Sequence, residues 1–188
     1  MKMIGKPPDK EFQANELIYA REIPGDGLLL EHLMTNLETT KKFILSIPAN
    51  KLSYRYAEGK WTIKEIIIHL IDMERIYGYR MLRFARNDQT ILPGFDADKY
   101  ILLSNANARD ISDLLNELEA VRYSTIALLN GFTDEALLQT GIMNGHHVSV
   151  RALVYHIAGH ELHHMDIIKR GIYSSLPRMA FWHQGRKT

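Results

Sequence analysis

Residues 62–86 read TIKEIIIHLIDMERIYGYRMLRFAR. The stretch opens with a capping box, because the Thr62 hydroxyl can accept a hydrogen bond from the Glu65 amide while the Glu65 carboxylate accepts one from the Thr62 amide. After the box, apolar side chains recur with a period of about 3.6 residues, as on the buried face of a helix: Ile66, Leu70, Met73, Tyr77, Met81 and Phe84. The stretch therefore predicts a long amphipathic helix over residues 62–86.

Three more segments show the same helical period and are separated by turn residues. They span residues 27–46, 110–130 and 149–171, with Ser149 as the expected N-cap of the last. A short extra helix is expected ahead of them, within residues 11–22, and Gly131 is expected to end the third long helix in a left-handed conformation. No strand-type alternation is recognised along the sequence.

The spacing of these segments predicts the fold class. Four helices of about twenty residues, joined by loops as long as residues 87–107, predict an all-α fold: a four-helix bundle with long interhelical loops. A chain of 188 residues has the length of one ordinary domain, so a single domain over residues 1–188 is predicted.

The composition excludes several classes of function. Lys and Arg number 23 and Asp and Glu number 22, so the formal net charge is +1 and we expect neither nucleic acid nor a membrane surface as a partner. Cysteine is absent, which rules out disulfides, thiolate metal sites and a cysteine nucleophile. Residues 1–10 lack the apolar stretch of an export signal, so a cytoplasmic location is expected.

Nine histidines are the conspicuous feature that remains, and five of them lie between His147 and His164. His156, His160 and His164 are spaced four residues apart and therefore share one helix face. Two imidazoles at that spacing can bind one metal ion, but histidines can equally line a polar groove, and the spacing alone leaves both explanations open. Residues 160–164 also match His-Glu-x-x-His, the motif of zinc proteases.

A third candidate ligand, His69, interrupts the apolar face of the helix over residues 62–86. A buried imidazole needs a polar partner, and a hydrogen bond within the core is the simpler explanation for it. In a helix bundle, however, metal sites are built from inward side chains on facing helices. His69 opposite His160 and His164 would supply three nitrogen ligands and leave one coordination position open, as in catalytic zinc sites. Nickel, copper or iron(II) would suit the same ligands.

A combination of motifs gives the chain a family resemblance. The motifs are GKWTIKE at 59–65, His69, ER at 74–75, YR at 79–80, LRFAR at 82–86, LPGFD at 92–96, VSVR at 148–151 and GHELHH at 159–164. In this combination, from about residue 15 to residue 175, the chain resembles the DinB-like superfamily and in particular its YfiT-type branch. The resemblance implies a four-helix bundle with a divalent metal ion, zinc or nickel, held by His69, His160 and His164.

The same resemblance assigns the neighbouring residues. His156, His163 and Glu161 match no ligand position and are interpreted as residues that surround and support the ligands. The zinc-protease interpretation is disfavoured, because the resemblance places the third ligand upstream on another helix.

The resemblance also implies an activity: a metal-dependent transferase of the thiol-S-transferase type, or a hydrolase, acting on a small molecule. A transferase of this type would use a low-molecular-weight thiol as cosubstrate, and the sulfur would have to arrive with it because the chain has no cysteine. The alternative is a non-catalytic dimeric bundle in which the metal or the histidine cluster is structural. A homodimer is the expected assembly.

Three smaller predictions concern neighbouring residues. Trp61 is predicted to pack at the start of its helix rather than to stack on a ligand. A basic cluster on that helix could suggest nucleic-acid binding: Arg80, Arg83 and Arg86. Because Glu74 and Asp88 lie nearby, the arginines are predicted instead to form ion pairs within the bundle or a dimer: Arg75, Arg83 and Arg86. Asp72 could orient His69, and the loop residues His146 and His147 could border the site; the sequence leaves both open.

Overall fold

The computed structural model describes residues 2–55 and 57–173 and shows, within them, seven α-helices and one two-stranded sheet. The helices are α1 (Leu17–Arg21), α2 (Leu29–Leu45), α3 (Ile63–Ala85), α4 (Ala97–Leu103), α5 (Ile111–Asn130), α6 (Asp134–Leu138) and α7 (Val150–Tyr173). The strands are β1 (Thr140–Met143) and β2 (His146–Ser149). Residues 174–188 lie outside the described part, and the single domain over residues 1–188 stays a prediction.

The four long helices, α2, α3, α5 and α7, form a bundle. Helix α3 packs along α5 and α7, and α2 packs against the same two helices. The short α1 lies against the middle of α7, where the Tyr19 ring contacts the rings of His156, His160 and His163. The all-α four-helix-bundle prediction is confirmed, with its short N-terminal helix. Among the described residues, no helix is both long enough and apolar enough to cross a membrane.

The predicted helix starts form as expected. The Thr62 hydroxyl accepts a hydrogen bond from the Glu65 amide at 3.1 Å, and the Thr62 amide donates to Glu65 Oε2 at 2.7 Å. Likewise the Ser149 hydroxyl accepts a hydrogen bond from the Ala152 amide at 3.1 Å and so caps α7. These caps satisfy amides that the first turn of a helix leaves without partners, and they fix where α3 and α7 begin.

Apolar side chains from all four long helices fill the interior. Leu37 of α2, Ile67 of α3 and Leu118 of α5 are fully buried in one half of the core, and Leu153 of α7 is fully buried in the other. Truncation of such a leucine to alanine costs about 2–5 kcal/mol, since a cavity is left behind. This packing holds α3 against α7 and thereby sets the distance between their histidines.

One sequence interpretation was wrong: the chain does contain strands. β1 and β2 pair antiparallel, with Met143 opposite His146, and the two turn residues, Asn144 and Gly145, have φ of 51° and 79°. An Asn-Gly pair with positive φ at both positions makes the type I′ turn of a tight hairpin. The strands were missed because four residues are too few for alternation to show.

Two further corrections concern loops. Residues 87–107 were expected to be a loop, but they contain α4 and a short 3₁₀ turn, Ala106–Ala108. Gly131 was expected to be left-handed, but its φ is −81°. Its amide instead donates to the carbonyls of Ala127 and Leu128, so backbone hydrogen bonds close α5 without a left-handed residue.

Candidate metal centre

Three histidine side chains meet between α3 and α7. His69 comes from the buried face of α3, and His160 and His164 lie one turn apart on α7. The Nε2 atom of His160 lies 3.2 Å from Nε2 of His69 and 3.0 Å from Nε2 of His164. The structure therefore brings together the three residues that the resemblance implies as ligands.

The electrostatics of the cluster favour neutral imidazoles. Burial lowers the pKa of His69 to about 4 and that of His164 to about 3. Burial, reinforced by the neighbouring histidines, also lowers the pKa of His160 well below its usual value. At neutral pH these rings are uncharged, so each carries a nitrogen lone pair that can be donated to a metal ion.

The contacts within the cluster fit a metal ion better than they fit hydrogen bonds. His160 Nε2 faces two other ring nitrogens, and a single ring nitrogen has one proton or one lone pair, so it cannot satisfy both neighbours. A tetrahedral ion with nitrogen ligands at about 2.0–2.1 Å would hold those nitrogens about 3.3 Å apart. The observed spacings approach this value. Among the described residues, no fourth histidine or carboxylate joins the group. Three protein ligands would leave one coordination position of the ion open.

The histidine triad opens onto a cavity of about 380 Å³. Its walls come from the chain before α1, from α3, from α7 and from the loop after Pro93. Besides the triad, the polar and aromatic walls that matter for chemistry are Glu16, Tyr19, Trp61, Tyr77, Arg80 and His156. A cavity of this size accommodates a small molecule beside the triad.

Glu16, Tyr77 and His156 form a second polar group in this cavity. The Tyr77 hydroxyl donates to Glu16 Oε1 at 2.6 Å, and the His156 ring stacks on the Tyr77 ring with centroids 4.5 Å apart. Burial raises the pKa of the Glu16 carboxyl and lowers the pKa of His156 to about 3. Within the described part of the chain, Glu16 Oε2 and both ring nitrogens of His156 lack hydrogen-bond partners. These buried polar atoms are available to a ligand.

Trp61 lies beside the triad and lines the same cavity. Its ring lies 4.6 Å from the His69 ring and 6.3 Å from the His164 ring, and its Nε1 donates to Asp98 Oδ1 at 3.0 Å. From the sequence, Trp61 was predicted to be a packing residue. In the structure it packs against the candidate site, because the capping turn of α3 places it beside His69.

Glu161 points away from the triad into a buried ionic network. The Arg122 guanidinium donates to Glu161 Oε2 at 2.9 Å, to Glu74 Oε2 at 2.8 Å and to the carbonyl of Leu33. Two carboxylates raise the pKa of Arg122 although burial opposes the charge. A protease glutamate would have to face the metal position, so the structure contradicts the zinc-protease interpretation of residues 160–164.

Some of the remaining residues singled out in the sequence lie near the triad, and others do not. His156 lines the cavity, and the His163 ring lies 5.5 Å from the His164 ring at the half-buried edge of the site. His146 and His147 are exposed on β2, outside the cavity wall.

Arg83 makes the predicted kind of ion pair, with Asp88 at 2.6 Å. By contrast, Arg80 and Arg86 form no ion pair among the described residues.

Comparison with known proteins assigns the family. A family model described as the DinB superfamily matches residues 32–168, which include all three histidines of the triad. The chain belongs to the DinB superfamily. This DinB protein is 28% identical over 143 residues, 74% of its own length and 81% of the relative's, to OB0413 of Oceanobacillus iheyensis, whose name marks it as a proposed metal-dependent hydrolase.

Solved structures show the same fold. YfiT from Bacillus subtilis, described as a probable metal-dependent hydrolase with an unusual four-helix bundle topology, matches with a TM-score of 0.67 and 18% identity. The match covers 90% of this chain and 92% of YfiT. A mycothiol-dependent maleylpyruvate isomerase matches with a TM-score of 0.56 and 14% identity, over 89% of this chain and 62% of the isomerase. The resemblance to the DinB superfamily is thereby confirmed, and the chain has the fold of YfiT.

Proposed function

We propose that this DinB protein binds one divalent metal ion, zinc or nickel, through His69, His160 and His164, and that it catalyses a reaction of a small molecule in the adjoining cavity. The observation that carries the proposal is the convergence of three neutral Nε2 atoms on the wall of a cavity of about 380 Å³. The description of OB0413 and YfiT as metal-dependent hydrolases supports it.

A divalent ion in the triad would act as a Lewis acid, which polarises a substrate oxygen or makes the proton of a bound water or thiol more acidic. Glu16 and His156 both line the cavity and have polar atoms without a hydrogen-bond partner among the described residues. We assign the proton to Glu16 because burial raises the pKa of its carboxyl group, whereas burial lowers the pKa of His156 to about 3. Tyr77 holds Glu16 Oε1 by a hydrogen bond and so fixes the orientation of the carboxyl group. Trp61 packs beside His69 in the wall of the same cavity.

The nucleophile in this proposal is a low-molecular-weight thiol or a water molecule. The chain has no cysteine, so the sulfur of a thiol-S-transferase reaction would be brought by a cosubstrate. A solved protein of the same fold is named as mycothiol-dependent, which supports a thiol. The name of OB0413 supports water and therefore hydrolysis. In both cases Glu16 Oε2 would accept the proton of the S–H or O–H group.

The non-catalytic alternative makes a different prediction for the cavity. A closed structural site would have a fourth protein ligand, such as His156, whereas the ligand-forming group among the described residues contains the three triad histidines alone. His156 instead stacks on the His160 ring, with centroids 5.1 Å apart. This arrangement favours an open coordination position and thus a catalytic site.

The experiment is an assay of the metal-loaded protein for thiol transfer to electrophiles and for hydrolysis of esters and amides, with Glu16→Gln as the test variant. Loss of a general base lowers kcat by about 10²–10⁴, and bound metal should stay at the wild-type level. Glu22→Gln, an exposed glutamate just after α1, is the matched control. Equal kcat for Glu16→Gln and the wild type would refute the role of Glu16. Activity that is unaffected by removal of the metal would refute metal dependence.

A further inference from the structure

Two arginines of the described chain are buried, and they differ in how their charge is compensated. Arg122 is 1% exposed and contacts the carboxylates of Glu74 and Glu161. Arg80 is 5% exposed, yet among the described residues no carboxylate lies within ion-pair distance of it. A buried cation without an adjacent anion is costly, and no carboxylate of the described residues forms a direct ion pair with Arg80.

The neighbours of Arg80 hold the guanidinium group in place without neutralising it. One terminal nitrogen donates to the Pro93 carbonyl at 2.8 Å, and the other lies 3.4 Å from the Met143 sulfur. The faces of Tyr77 and Phe95 lie 5.4 and 5.7 Å from the guanidinium carbon. A guanidinium has five N–H donors, and these contacts leave several of them without a strong acceptor.

The position of Arg80 relative to the triad gives this charge a role. Arg80 lines the same cavity as His69, His160 and His164. Glu16 is the acidic residue that lines this cavity; it forms no direct ion pair with Arg80 and accepts a hydrogen bond from Tyr77 instead. A ligand in the cavity therefore meets a fixed positive charge that no direct ion pair neutralises.

We infer that Arg80 binds a carboxylate of the small molecule that enters this cavity. The inference rests on the proposed function in taking the cavity as the substrate site. A guanidinium pairs with a carboxylate through two parallel hydrogen bonds. A carboxylate, with one negative charge, is favoured over a doubly charged phosphate because Arg80 is a single cation and shares the cavity with the Glu16 carboxyl group. The substrate or thiol cosubstrate is therefore a carboxylic acid, with its reacting group at the triad and its carboxylate at Arg80.

The test compares two probes that are matched in size and differ in charge: mercaptoacetate and its uncharged amide, mercaptoacetamide. Both titrations use the full-length protein freed of metal by chelation, so that no ion can be chelated by the thiol and carboxylate and the calorimetric comparison isolates the contact of the carboxylate with the protein. We expect mercaptoacetate to bind at least about tenfold more tightly, since a hydrogen-bonded charged group contributes about 1.5–3 kcal/mol. In Arg80→Gln this preference should fall to near unity.

Two further variants keep the experiment decisive. Arg83→Gln removes an arginine from the same helix outside the cavity and should retain the full preference. Arg80→Lys keeps the charge but loses the planar fork, so it should retain part of the preference, and it serves if Arg80→Gln does not fold. Equal affinity of the two probes for the wild type, including failure of both to bind, would overturn the inference. So would a preference that survives in Arg80→Gln.

The proposed function fails by a different measurement. Metal content is determined separately on each variant, and Arg80→Gln should bind as much metal as the wild type. A protein that prefers mercaptoacetate but binds no metal would refute the metal-dependent function while supporting the carboxylate site.

Discussion

The Arg122 network provides the sharpest prediction about stability. Arg122 of α5 joins Glu74 of α3, Glu161 of α7 and the Leu33 carbonyl of α2, so one guanidinium connects all four long helices. Arg122→Met keeps a long apolar side chain but leaves two carboxylates buried, at 2% and 1% exposure, without a cation. We expect a large loss of stability from the uncompensated charges.

The magnitude follows from the burial of the network. Removing one partner of a buried ion pair costs about 3–5 kcal/mol. For a chain of this length, that cost corresponds to a fall in Tm of roughly 6–20 °C. Arg75→Met is the matched control, because its side chain is 50% exposed in the ion pair with Glu117 and should contribute about 0–1 kcal/mol.

Urea unfolding followed by circular dichroism measures both variants. A triple variant that adds Glu74→Gln and Glu161→Gln to Arg122→Met removes the buried charges and should be more stable than Arg122→Met alone. The reasoning is refuted if Arg122→Met loses no more stability than Arg75→Met. Arg122→Met should also weaken metal binding, because Arg122 contacts Glu161, which adjoins His160. Loss of a residue that supports a metal ligand lowers metal affinity by about 10–100-fold.

The remaining predictions concern helix packing and pH. A Cβ at Gly159 would overlap the Tyr19 carbonyl, so Gly159→Ala should lower the free energy of unfolding by about 1–3 kcal/mol. Gly78 has open space around it on α3, so Gly78→Ala should raise the free energy of unfolding by roughly 0.5–1 kcal/mol. Urea unfolding measures both variants, and equal stability of the two would contradict this packing. Burial lowers the pKa of His69 and His164 to about 4 and 3, so the unfolded chain binds more protons below about pH 6.5. After a chelator has removed any bound metal, urea unfolding should therefore show the full free energy of unfolding above about pH 6.5 and a progressive decrease toward about pH 4. A constant free energy of unfolding across that window would contradict the burial of these rings.

The helices and the triad histidines could be predicted from the sequence because their signals are local. The capping box at Thr62 and the apolar period that follows specify α3. His160 and His164 are four residues apart, which places both on one face of α7. His69 was a candidate because it interrupts an apolar helix face, but the resemblance was needed to choose between a metal ligand and a hydrogen-bonded core histidine.

The rest of the cavity could not be predicted because its residues meet only through tertiary packing. Glu16 lies before α1, and Tyr77 lies on α3 at a position whose apolar period indicates an ordinary core residue. Arg122 falls on the inward face of α5, where a charged residue is expected to be exposed. The signals that could have been used are the polar residues Arg80 and Arg122 on otherwise apolar helix faces, and the Asn144-Gly145 pair that marks the hairpin.

The measurement that tests the central claim most directly is the metal content of the purified protein after equilibrium dialysis against zinc or nickel, determined by mass spectrometry. The triad predicts one ion per chain for the wild type, and no bound ion for His160→Ala. His163→Ala removes the neighbouring imidazole of α7 that lies outside the triad and should leave the ion in place. A wild-type protein that binds no ion, or a His160→Ala protein that still binds one, would contradict the three-histidine site.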